Sequence, residues 1–249
     1  MISSAITIAR KELLSLFTSP IAYGIATLVL AGNGFTFYLW ANLTDGNLSD
    51  TTSLFFGRGL FYWFLAPILA PLLTMRLFAE EKRTGTIEML MTAPVTDAAV
   101  VLGKFAAVWA YYALLWVPAW IYFLGVGGNP DLGVVASAFL GALLVGALFL
   151  AVGLFASSTT ANQVLAASGA VVGNLALLFL PLLAVLVMHR VSPAWAGARG
   201  FLERYSIFQV GDTTFLNGIL DSGSIVYLLS LTGFFLFLTV RTVEARKWK

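Results

Sequence analysis

An all-α integral membrane protein with six transmembrane helices is the fold class this chain predicts, on three observations. Of its 249 residues, 59% are apolar and 10% charged, against about 25% charged in an ordinary soluble domain. Apolar runs close to the ~20 residues that a bilayer core demands fall at Pro20 to Trp40, Leu54 to Met75, Phe105 to Gly127, Val134 to Phe155, Val164 to Met188 and Ile225 to Val240. No Asp, Glu, Lys, Arg or His interrupts Val134 through Met188. As one helix that stretch would extend about 80 Å, against a hydrocarbon core of about 30 Å, so it must fold back as a hairpin. One membrane domain, residues 1–249, is expected to account for the chain.

Ahead of the first run, Ile2, Ile6, Ala9, Leu13, Leu16 and Phe17 recur at helical spacing, with Arg10, Lys11, Glu12 and Ser15 between them. This predicts an amphipathic helix lying in the interface plane, turned into the bilayer at Ser19-Pro20. It can be a plain anchor or an elbow clamped to a transport pathway; the periodicity is the same for both. The first run lacks a small-x-small cleavage site at its end, Leu39-Trp40-Ala41, and reads as an uncleaved span.

The second run carries Pro67 and Pro71, which remove helical hydrogen bonds and permit a kink. Beyond it, residues 76–94 hold six charged side chains within nineteen positions. The helix should run on to Arg83, Gly85 can take the left-handed C-terminal position, and Thr86 can cap a new short helix that Pro94 ends. In that short helix Ile87, Leu90 and Met91 sit at i, i+3 and i+4 beside Glu88. They form an apolar knob that either lies on the membrane or docks on a soluble partner.

Within the hairpin, Ser157 to Gln163 is the expected turn, because short polar side chains compete for backbone hydrogen bonds. Buried polar groups in the spans are mild: Asn33 and Thr36 in the first, Ser168 and Asn174 in the fifth. Such amides are helix glue before they are ligands, since an unsatisfied one in hydrocarbon is costly. Gly169 and Gly173 form a small-xxx-small patch for close helix approach, within the subunit or at a dimer seam. No charge is expected deep in a span, which disfavours proton or cation coupling.

From His189 to Ser224, Trp195, Phe201, Tyr205, Ile207, Phe208, Phe215, Leu216, Ile219 and Leu220 make the segment too apolar for a free loop. Re-entrant helices capping a pathway, or interfacial helices anchored by aromatics, both fit. His189 has no nearby partner in sequence, and a neutral interface residue is its simplest reading.

Lys and Arg set the orientation. Ten lie at the two termini and between the second and third spans (Arg10, Lys11, Arg76, Lys82, Arg83, Lys104, Arg241, Arg246, Lys247, Lys249), and four lie opposite (Arg58, Arg190, Arg199, Arg204). Both termini and the 76–104 segment should therefore face the cytoplasm of a bacterial cell, with the chain in the inner membrane. The same inventory excludes other classes. A net charge of +2 is too small for a nucleic-acid partner, the absence of Cys removes thiolate chemistry, and one His leaves no metal cluster or catalytic pair. No enzymatic activity and no cofactor are expected in this chain; without a GxxxxGK[ST] loop it has no cradle for ATP.

The run RLFAEEKRTGTIEMLMTAPVTDAAVVLGK, Arg76 to Lys104, resembles the cytoplasmic segment of type 2 ABC transporter permeases, especially the gliding-motility type permease GldF. The likeness extends to the N-terminal helix, to GLFASSTTANQ at Gly153 to Gln163, to the span order, and to Tyr205 through Tyr227 with Asn217-Gly218-Ile219-Leu220-Asp221. Between Met188 and Glu203 the sequence HRVSPAWAGARGFL departs from that pattern, so substrate or partner identity does not carry over there. The resemblance implies a permease subunit whose coupling helix docks on a separate cytosolic ATPase, where ATP and Mg would bind. Glu80, Glu81, Arg83, Gly85, Thr86, Ile87, Glu88, Leu90 and Met91 match that coupling region. It further implies a second permease, identical or different, and a partner with a large extracytoplasmic domain. Such an assembly could export a solute, or act mechanically on that partner without moving one.

Overall fold

A computed structural model describes residues 2–58, 60–86, 95–125, 131–191 and 196–245. Among them the chain is all helix and turn, without a strand, and six helical stretches are long and apolar enough to cross a membrane. Helix α1 (Ile2–Thr18) precedes α2 (Pro20–Leu43), the first span. Ser19 between them is extended (φ −84°, ψ 123°), as a residue before proline prefers. A short α3 (Leu48–Ser53), capped by the Asn47 side chain, leads through a π-helical turn (Leu54–Arg58) into α4 (Leu60–Thr74). Helix α5 (Arg76–Arg83) continues the second span. The third to sixth spans are α6 (Asp97–Gly125), α7 (Leu132–Thr159), α8 (Gln163–Val191) and α11 (Ser222–Glu244). Between the last two come α9 (Ala196–Arg204), α10 (Ile207–Thr213) and a 3-10 turn at Phe215–Asn217.

Helix α7 is the axis of the bundle: α4, α5, α6, α8 and α11 all pack on it. Small residues make this possible. Gly146 sits against the Tyr112 ring of α6 so closely that even a methyl group there would overlap it. Helix α1 lies along α6, where a Cβ on Gly103 would stand 2.7 Å from the Ala5 carbonyl. By contrast, α8 is as apolar as α7 yet turns most of its surface outward.

Two expectations are corrected. Ser157 and Ser158 are not in the hairpin turn; they close helix α7 and are fully buried, and the turn is confined to residues 160–162. Ser157 stays helical because its hydroxyl meets polar backbone groups of the second span at Met75 to Ala79. Lys104 is not in a loop before the third span. That helix starts at Asp97, and Lys104 lies inside it, 1% exposed, because α1 and α5 bring carboxylates to cover it.

On the opposite end of the bundle, α10 and the 3-10 turn press Ile207, Val210, Phe215 and Leu216 into the core, while Phe201, Ile219 and Leu220 stay exposed. The Ser137 hydroxyl of α7 donates to the Phe215 carbonyl at 2.7 Å.

Candidate functional site

The charged end of the second span is where the chain concentrates its polar contacts. Where the second span passes from α4 into α5 at Met75, one hydroxyl from the fourth span meets its backbone. Ser157 Oγ accepts from the Phe78 and Ala79 N–H groups, each at 3.1 Å, and donates to the Met75 carbonyl at 3.0 Å. One donor and two lone pairs are thereby all used. One turn further on, the Lys82 ammonium donates to the Ser158 carbonyl. Helix α5 is thus fastened to the end of α7 along its whole inner side.

Its other side is held by charge. Lys104 Nζ donates to Glu81 Oε1 at 2.7 Å and to Glu12 Oε1 at 3.0 Å, with the Phe78 ring 5.2 Å away. Both carboxylates are largely shielded from solvent. One ammonium therefore joins three elements, α1, α5 and α6. Such a cluster earns little net stability over an apolar substitute, but losing one member strands the others in a low-dielectric site. It specifies how the three helices sit together.

Toward the tip of α5 the contacts become solvent-exposed. Arg83 pairs with Glu80 at 2.6 Å on an open surface, an arrangement that contributes little. Thr84 Oγ1 donates to the Glu80 carbonyl, and Gly85 ends the helix in the left-handed conformation at φ 74°. The Thr86 hydroxyl lies 3.0 Å from that of Thr84.

The structure therefore brings together five of the nine sequence-predicted coupling residues, Glu80, Glu81, Arg83, Gly85 and Thr86, at one tip. Ile87, Glu88, Leu90 and Met91 lie outside the described residues. Of the helix-packing candidates, Asn174 donates from Nδ2 to the Pro67 carbonyl at 3.2 Å. Asn33 is buried, its Nδ2 without a partner among the described residues. Gly173 approaches Val152 of α7, whereas nothing among the described residues stands within 4 Å of a Cβ on Gly169.

Sequence reasoning missed Glu12, Lys104 and Ser157. A signal for Lys104 exists: it is the sole charge between Asp97 and Asp131, one residue after a glycine that lets another helix close over it. Ser157 carried no comparable signal, since a serine near a helix end has several equivalent uses. Among the described residues no group of three or more His, Cys, Asp or Glu side chains could hold a metal ion. The arrangement is suited to carrying displacement from the tip of α5 into α1, α6 and α7.

Residues 6–238 match the family described as ABC-2 family transporter protein. A relative in Pseudomonas aeruginosa, named a probable ABC transporter permease protein NosY, is 29% identical, with 74% of this chain and 71% of the relative covered.

Proposed function

Because the chain belongs to the ABC-2 family of transporter proteins, we propose that it converts ATP-driven closure of a separate ATPase into movement of its own spans. It is a multi-pass membrane protein and a permease subunit of an ABC transporter, a class that works with a cytosolic ATPase and a second permease subunit. In this reading ATP and Mg reside on the ATPase, the short helix that Thr86 caps and Pro94 ends docks into it with Ile87, Leu90 and Met91 as the apolar knob, and both termini lie on the cytoplasmic side of a bacterial inner membrane. α1 acts as the elbow, and the cycle drives export or another transmembrane transport. The second permease is either an identical copy or a different permease chain.

The observation that carries this reading is the Lys104 cluster. Glu81 shares an ammonium with Glu12 on the elbow and with the third span itself, which supports a push on the tip of α5 being passed to both. The Ser157 bonds carry the same displacement into the central helix. The gliding-motility type, with an extracytoplasmic partner moved in place of a solute, is the alternative to transport, and it rests on the resemblance at residues 76–104, 153–163 and 205–227.

Leu90→Asp is the decisive test. It would place an unpaired charge in a desolvated contact, at a cost of several kcal/mol, while scarcely affecting a helix that merely rests on the bilayer surface. The variant should insert stably, yet no longer co-purify with the ATPase and no longer support function. Retention of the ATPase at wild-type stoichiometry would sink the docking idea.

A further inference from the structure

At the same end of the bundle, α1, α2, the second span and the start of α8 enclose an open cavity of about 1250 Å³. Its walls are of two kinds. Ile21 and Ile25 of α2, with Leu72 and Leu73 of α4, make an apolar wall; Lys11, Arg76, Arg83 and Lys104, with Ser15 and Ser19 and the carboxylates Glu12, Glu80 and Glu81, make a polar floor. A cavity lined only by charge would suit a soluble ion, and one lined only by Ile and Leu would suit hydrocarbon. This one presents both.

The cations on the floor are not equivalent. Lys104 is engaged by Glu12 and Glu81, and Arg83 by Glu80. Arg76 has no carboxylate partner among the described residues. Its only bond there is a long one, 3.3 Å, from Nη1 to the Ser19 hydroxyl, and its Nε is buried without an acceptor. A guanidinium offers five donors in a planar fork and cannot neutralise itself by losing a proton. Held where the apolar part of the second span ends, it lacks an acceptor with several oxygens, and phosphate presents them in the geometry that the fork matches. Lys11 lines the same floor from α1.

We infer that this cavity binds the phosphate headgroup of a phospholipid-class amphiphile on Arg76, with Ser19 beside it and the acyl portion along the Ile21, Ile25, Leu72 and Leu73 wall. The site shares its rim with the coupling tip, since Glu80, Glu81, Arg83 and Thr86 line the same cavity, and it is therefore tested on this chain without the ATPase. It ties the elbow helix to the lipid by a discrete, saturable contact, beyond the general attraction of a basic amphipathic helix for a membrane surface.

The test uses the full chain, purified in detergent and titrated with dioleoyl phosphatidylglycerol, with dioleoylglycerol of the same chains but no phosphate, and with inorganic phosphate. Binding is read by native mass spectrometry and by the shift in the thermal midpoint. The wild type should saturate with phosphatidylglycerol and bind it at least about tenfold more tightly than dioleoylglycerol, the effect expected of a charge-assisted bidentate contact. Inorganic phosphate should not displace it. Arg76→Gln should lose the preference for the phosphate-bearing lipid, while Arg241→Gln, at an exposed cation on α11, should keep it. Equal binding of the two lipids by the wild type would reduce the site to an apolar groove, and displacement by phosphate alone would make it a soluble-anion site. Either result overturns the inference without any variant needing to fold, as would an Arg76→Gln protein with wild-type preference.

Discussion

Asn174 of the fifth span donates its side-chain amide to the carbonyl of Pro67 in the second, at 3.2 Å. That carbonyl is available because the residue four positions on is Pro71, which has no N–H to offer it. A proline in one helix thus creates the acceptor that an asparagine in another uses, in a setting where water cannot substitute. Asn174→Ala should therefore destabilise the protein in detergent by about 1–2 kcal/mol. In Pro71→Ala the helix regains its own donor, so Asn174→Ala made in that background should cost clearly less. Equal costs in the two backgrounds, measured by reversible denaturation, would show that the bond contributes nothing.

Lys104→Ala should cost about 3–5 kcal/mol, because Glu12 and Glu81 would be left close together in a shielded site. Replacing all three, as Glu12→Gln, Glu81→Gln and Lys104→Met, should recover much of the loss. Thermal unfolding of the purified chain checks both. A triple variant no more stable than Lys104→Ala would mean that packing of the lysine stem, and not its charge, is what matters.

Ser157→Ala removes the hydroxyl shared by the Phe78 and Ala79 amides and the Met75 carbonyl. The expected loss is about 1–3 kcal/mol, concentrated locally. Hydrogen exchange should quicken at Phe78 and Ala79 before it quickens in α7, and uniform acceleration throughout would contradict the local role.

Single cysteines are informative because the chain has none of its own. Placed at Thr92 or Lys249 they should resist impermeant thiol reagents in intact cells, whereas cysteines at Asn47 or Ala198 should react. Labelling at Thr92 from outside would reverse the proposed orientation.

Asp221 caps the sixth span, accepting from the Ser224 hydroxyl at 2.8 Å and from the Ser224 amide at 3.0 Å. These bonds, the hydroxyl's first, hold its carboxyl below the usual value. A carboxyl that is more acidic when folded stabilises the fold above its unfolded value and loses that contribution as pH falls through the folded one. The dependence should therefore appear at the acid end, below about pH 4, flatten in Asp221→Asn, and move upward in pH in Ser224→Ala. An unchanged acid limb in Asp221→Asn would remove the cap from the account.

Much of this was legible in the residues alone. Six spans follow from hydropathy and length, because every backbone group in a bilayer must find its partner within a helix. The end of the second span at Arg83 and the left-handed Gly85 follow from local chemistry, since a helix terminus is decided by a few adjacent residues. Tertiary structure alone decided which span is the core. Helices α7 and α8 are equally apolar, and only the close approaches at Gly146 and its neighbours make α7 the axis. It alone also decided that Lys104 is buried, because its partners Glu12 and Glu81 lie 92 and 23 residues away in sequence. Hydropathy is a property of one residue, while the burial of a charge depends on what other helices bring to it, and that pairing is settled only when the bundle packs.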